Sequence, residues 1–78
     1  IDILDNFQIY PNPTRDVIYL KSSHSINSVS ISDMLGQNIY NKQKNISSIN
    51  VSNLSPGLYI LKAYFVDGSQ RKRKFIIK

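Results

Sequence analysis

The sequence contains no cysteine and no glutamate, and only one histidine and one methionine. Without cysteine there is no disulfide framework and no thiolate metal site. Without glutamate, all acidity rests on Asp2, Asp5, Asp16, Asp33 and Asp67. Their scatter offers neither the D-x-D spacing of a calcium loop nor a carboxylate pair suited to acid–base catalysis. His24 stands alone in a serine-rich stretch, and no serine sits in a G-x-S-x-G elbow, so a nucleophilic triad cannot be assembled. Neither an enzymatic activity nor a cofactor is expected. No apolar run approaches the roughly 18–20 residues of a helical membrane span. The chain opens IDILDNF, without an initiator methionine or a charged-then-apolar leader. It reads as a piece of something larger, with any export signal upstream.

What is present argues for strands. The 78 residues allow one domain, and a hydrophobic content of 41% is enough for a core. The apolar residues are largely β-branched or aromatic, and they alternate. Val29 and Ile31 share one face of VSIS; Ile49 and Val51 share one face of SINVS. In LYILKAYF, Tyr59, Leu61, Ala63 and Phe65 fall on one side. Period-2 patterns of this kind mark strands with one buried face. Turn signals recur at PNPT (11–14), SSHS (22–25), MLGQ (34–37), NKQKN (41–45), LSPG (54–57) and VDGS (66–69). They divide the chain into seven short strands, near 7–10, 16–21, 26–32, 38–42, 48–52, 58–66 and 70–77, as in a small all-β sandwich or barrel. The predicted inward set is Ile9, Ile18, Leu20, Val29, Ile31, Ile39, Ile49, Val51, Leu54, Tyr59, Leu61, Ala63, Phe75 and Ile77.

The turns have identifiable chemistry. Pro11 and Pro13 flank Asn12, fixing φ on both sides and removing two ladder donors. Asp33 can cap the following turn through its carboxylate while Gly36 takes a left-handed conformation. Pro56 and Gly57 turn the chain into the longest strand. Tyr59 can bury its ring there and tether its hydroxyl.

Ten lysines and arginines give a net charge of +5, concentrated in the run Arg71-Lys72-Arg73-Lys74 ahead of FIIK. On a strand, alternate cations face opposite ways. Arg71 and Arg73 then share parity with Phe75 and Ile77, and Lys72 and Lys74 face outward. A stripe split between two faces is a poor groove for nucleic acid, and lysines on an edge also discourage unwanted pairing.

Taken in order, IYPNPTRDVIYL (9–20), VSISDMLGQNIY (29–40), INVSNLSPGLYILKAY (49–64) and the basic run before FIIK form a pattern. The pattern resembles the type A C-terminal sorting domain of Bacteroidetes proteins exported by the type IX (Por) secretion system. The likeness covers about residues 7–78. Ser32 departs from it, standing where the family often has an aromatic residue, and so does Phe75, where an aliphatic is usual.

The resemblance implies an immunoglobulin-like antiparallel β-sandwich at 7–78, with 1–6 as a linker from an upstream cargo domain. It implies a secreted or cell-surface protein, reached through the periplasm and across the outer membrane. The implied partners are the type IX translocon and a cell-surface sortase-like peptidase, with no nucleic acid and no membrane span. Pro11, Asn12, Pro13, Asp33, Gly36, Gly57 and Tyr59 are read as determining the fold. Recognition is expected on the final strand, through Lys72, Lys74, Phe75, Ile76, Ile77 and Lys78, with added strand pairing at its edge. Processing is expected in the extended chain around Asp5 and Asn6 or further upstream. The alternative is an immunoglobulin-like adhesion or carbohydrate-binding module, with Tyr10, Tyr19, Tyr40 and Tyr64 grouped on one face.

Overall fold

A computed structural model describes residues 7–43 and 46–78. The expected processing residues Asp5 and Asn6, and the linker 1–6, lie outside them. Seven strands follow in order: β1 (Gln8–Tyr10), β2 (Val17–Lys21), β3 (Ile26–Asp33), β4 (Asn38–Gln43), β5 (Ser48–Asn50), β6 (Gly57–Phe65) and β7 (Gln70–Ile77). They form two antiparallel sheets, β1-β2-β5 and β4-β3-β6-β7. Of the all-β sandwich or barrel expected from the alternation, the sandwich, which the resemblance also implies, is the observed fold.

The core lies between the sheets. Ile18, Leu20 and Ile49 come from one sheet; Val29, Ile31, Tyr59, Leu61, Ala63, Phe65, Phe75 and Ile77 come from the other. Strand parity accounts for this division, because alternate side chains of each strand meet the opposing sheet. Phe7 closes one end of the core, edge-to-face against Phe65 with ring centroids 5.6 Å apart.

One inward assignment fails. Ile39 is exposed, and Tyr40 packs against the core in its place. The cause is the pairing of β4 with β3, which sets Tyr40 opposite Ile31 and Lys42 opposite Val29, both core residues, and so turns Ile39 to the other face. Ile39 is the extra residue of a bulge between Ile31 and Ser32, and it shares the outward parity of Asn41 and Gln43. Ile9 and Leu54 are only partly buried, whereas Phe7, absent from the inward set, is fully buried.

Candidate functional site: the last strand and its surroundings

β7 lies at the edge of the four-stranded sheet, paired on its inner side with β6 from Tyr64↔Gln70 to Gly57↔Ile77. In an antiparallel pair, the backbone groups of alternate residues point away from the partner strand. In β7 these are Gln70, Lys72, Lys74 and Ile76, continued by Lys78. An open edge of this kind would accept another strand.

The edge is occupied by the segment between β1 and β2. Asn12 donates through Nδ2 to the Lys74 carbonyl at 3.3 Å and accepts through Oδ1 from the Ile76 N–H at 3.0 Å. Thr14 donates its N–H to the Ile76 carbonyl, and its carbonyl accepts from the Lys78 N–H, both at 2.9 Å. Thr14 thus forms a short parallel bridge with Ile77, and its own hydroxyl donates to the Val17 carbonyl at 2.7 Å. The Tyr10–Pro11 and Asn12–Pro13 peptide bonds are both cis. A carboxamide is suited to this position, because one side chain both donates and accepts as a backbone strand would.

Further up the strand, two arginines cap the carbonyls that precede them. Arg71 Nη1 donates to the Gln70 carbonyl and Arg73 Nη1 to the Lys72 carbonyl, each at 2.8 Å. The Arg73 guanidinium also lies 5.2 Å from the Phe7 ring centroid and donates through Nη2 to the Phe7 carbonyl at 3.1 Å. Arg73 therefore holds the backbone just ahead of β1 against β7. Sequence parity assigns Arg73 to the inward side of β7, but its contact with Phe7, 66 positions away, appears only in the fold.

The expected recognition residues divide into two groups. Phe75 and Ile77 are core, at 0% and 3% exposure, so their side chains are not presented to a partner. Lys72, Lys74, Ile76 and Lys78 are exposed. Pairing by an incoming strand over 74–78 would require displacing Asn12 and Thr14.

The motif residues elsewhere close turns. The Asp33 carboxylate accepts from the Leu35 N–H at 2.9 Å and the Gln37 N–H at 3.0 Å, and Gly36 has φ +85°. Replacing Asp33 by Ala should cost about 1–2 kcal/mol for two lost hydrogen bonds at an exposed turn. A urea melt would show a lower midpoint with an unchanged slope; an unchanged midpoint would remove Asp33 from the fold-determining set. Gly57 begins β6 opposite Ile77. Tyr59 stacks on Phe75 with centroids 5.7 Å apart, and its hydroxyl donates to the Ser55 carbonyl at 2.5 Å, tying the LSPG turn to the core. In the VDGS turn, hydrogen bonds from the Ser69 hydroxyl and N–H hold the Asp67 carboxyl below its usual range.

The described residues hold no group of three or more His, Cys, Asp or Glu. Concavities gather around Ser22–Ser25, one of about 270 Å³ being lined by His24, Ser25, Phe65, Val66 and Asp67. Among the described residues, no helix is long and apolar enough to cross a membrane. The four candidate tyrosines do not share a face. Tyr10 and Tyr19 stack, 5.7 Å between centroids, on the outside of the three-stranded sheet. Tyr64 lies on the outside of the other sheet, and Tyr40 is half-buried.

The family described as secretion system C-terminal sorting domain matches residues 8–78, which is the whole of the two sheets. The chain belongs to that family. It is a type IX sorting domain, and its protein is secreted or carried on the cell surface. No curated protein matches the sequence. Among solved structures, the chain is similar to part of PorZ, described as an essential bacterial surface component of the type IX secretion system of Porphyromonas gingivalis. The likeness has a TM-score of 0.74 at 21% identity and covers 97% of this chain and 12% of that one. At that identity it speaks for the sandwich fold alone. In this sorting domain, the YPNPT motif is the element that covers the edge of the final strand.

Proposed function

We propose that this sorting domain is an address that sends a cargo, carried ahead of it in the same chain, across the outer membrane through the type IX translocon, and that it acts without chemistry of its own. The observation that carries this reading is the family match over 8–78: it coincides with the complete folded sandwich, so the address is a shape and not a short peptide. The translocon reads the exposed part of the last strand, namely Lys72, Lys74, Ile76 and Lys78. Phe75 and Ile77 contribute by holding that strand in register.

A sortase-like peptidase at the cell surface then removes the domain. The cut falls ahead of Phe7, around Asp5 and Asn6 or upstream of Ile1. Phe7 is 1% exposed and its carbonyl is engaged by Arg73, whereas proteolysis needs extended, accessible backbone. The cleaved cargo is either released or joined to an anionic lipopolysaccharide.

Fusing residues 1–78 to an inert, signal-bearing reporter in a host with the type IX system tests the reading. The reporter should reach the surface or the medium, and its C-terminal sequence should lack residues 7–78. Retention in the periplasm would refute the address, and export with the domain still attached would refute the removal.

A further inference from the structure

The outer face of the four-stranded sheet brings together residues that the sequence leaves apart. Cross-strand pairing sets Ser30, Lys62 and Lys72 in one row, and Ser32, Ile60 and Lys74 in the next. Leu58 and Ile76 form the row beyond, and Tyr64 pairs with Gln70 at the other end. Lys62 and Lys72 are directly opposite, and like charges in that position destabilise a sheet. Among the described residues, no aspartate stands on the paired positions of this face. Lys62 lies 5.8 Å from the Tyr64 ring centroid, which offsets part of the repulsion without removing it. The apolar neighbours remain in solvent: Leu58 is 39% exposed, Ile76 44% and Tyr64 37%.

An uncompensated cluster of one sign, set among exposed apolar side chains, has the composition of an interface awaiting its complement. The edge of the same sheet is covered by Asn12 and Thr14, so a partner meets side chains first. We propose that Lys62, Lys72 and Lys74, with Leu58, Ile60 and Ile76, form a docking face for a protein surface that carries carboxylates around an apolar patch. This rests on the sorting reading and names the contact it requires. A phosphorylated polysaccharide would satisfy the lysines but leave Leu58 and Ile76 in water. A protein surface satisfies both.

The test uses the same reporter fusion with two variants of equal charge change. Lys62→Gln/Lys72→Gln/Lys74→Gln removes the face, and Arg15→Gln/Lys21→Gln/Lys42→Gln removes three cations elsewhere. The face variant should be exported at least ten-fold more slowly, with a domain melting temperature equal to or above that of the parent, because an opposed lysine pair has been relieved. The control should stay within two-fold of the parent. Equal slowing of both variants would mean that net charge alone matters, and would overturn the face. So would parent-like export of the face variant, and in that case the sorting reading survives. If the parent fusion itself is not exported, both readings fall. The purified fusions are also mixed with vesicles of phosphatidylglycerol and lipopolysaccharide. Binding by the parent that the face variant loses would assign the face to anionic lipid and overturn a protein partner.

Discussion

Removal of residues 74–78 is expected to unfold the sorting domain. The deletion takes away Phe75 and Ile77, both in the core, together with every β7 group that Asn12 and Thr14 engage. Losing a buried Phe costs about 3–5 kcal/mol and a buried Ile about 2–5 kcal/mol. A domain of this length has a total stability of about 4–12 kcal/mol. Tyr59 would also lose the ring on which it stacks, and with it the support of the LSPG turn. The near-ultraviolet circular dichroism should collapse, and cooperative melting should disappear. A truncated domain that still melts cooperatively would show that β7 is not integral to the fold. The consequence for function is direct: failed export of such a truncation does not locate a recognition contact, because the fold is lost with it. Ile76→Ser is the sharper tool, since that side chain is 44% exposed and its loss should shift stability by less than about 1 kcal/mol.

The second large effect is expected at Asn12. Its side chain stands in for a strand at the edge of β7, with two hydrogen bonds to a segment more than sixty residues away. Replacing Asn12 by Ala removes both bonds, at about 0.5–1.5 kcal/mol each. For a domain of this size, 1 kcal/mol moves the melting temperature by about 4–8 °C, so a fall of several degrees is expected. The location of the effect is more diagnostic than its size. Amide exchange at Ile76 should accelerate well beyond that in β6. The uncovered edge should also favour self-pairing, visible as a concentration-dependent dimer by light scattering. Unchanged exchange at Ile76 would mean that Thr14 alone keeps the edge closed. Asn12→Asp would separate the two halves of the contact: a carboxylate can still accept from the Ile76 N–H but can no longer donate to the Lys74 carbonyl.

These two results bear on how a translocon could read the domain. Strand addition to an edge is a common mode of recognition, and β7 is a candidate because it lies at the edge of the four-stranded sheet. In the folded state that edge is taken over 74–78, and the carbonyls of Gln70 and Lys72 are capped by arginine side chains. What the domain presents freely is the outer face of the sheet. Recognition through the face leaves the sandwich intact; recognition through the edge would first have to release the YPNPT segment. The Asn12 and lysine variants separate these modes, because the first changes the edge and the second the face.

Much of this was legible in the residues. Alternation placed the seven strands within a residue or two, and D-M-L-G-Q and V-D-G-S announced their turns through groups that act over two to four residues. The parity of R-K-R-K-F-I-I-K separated the outward lysines from the inward Phe75 and Ile77. Such properties are local, being set by the pleat, by carboxylates that cap nearby N–H groups and by glycine at positive φ. Family membership was legible too, because the motifs that carry it are these same turns.

What only the tertiary structure decided are the contacts between segments distant in the chain. Ile39 is assigned inward from the sequence, but alternation in NIYNKQ does not fix which parity faces the core; pairing with Ile31 and Val29 puts Tyr40 and Lys42 on that side, and pairing is a property of two strands together. The closed edge of β7, the hold of Arg73 on Phe7 and the row of Lys62 beside Lys72 likewise depend on which strand lies next to which. Periodicity along one strand gives the direction of a side chain. It does not say what stands beside it, because that neighbour is chosen by the packing of the whole sandwich.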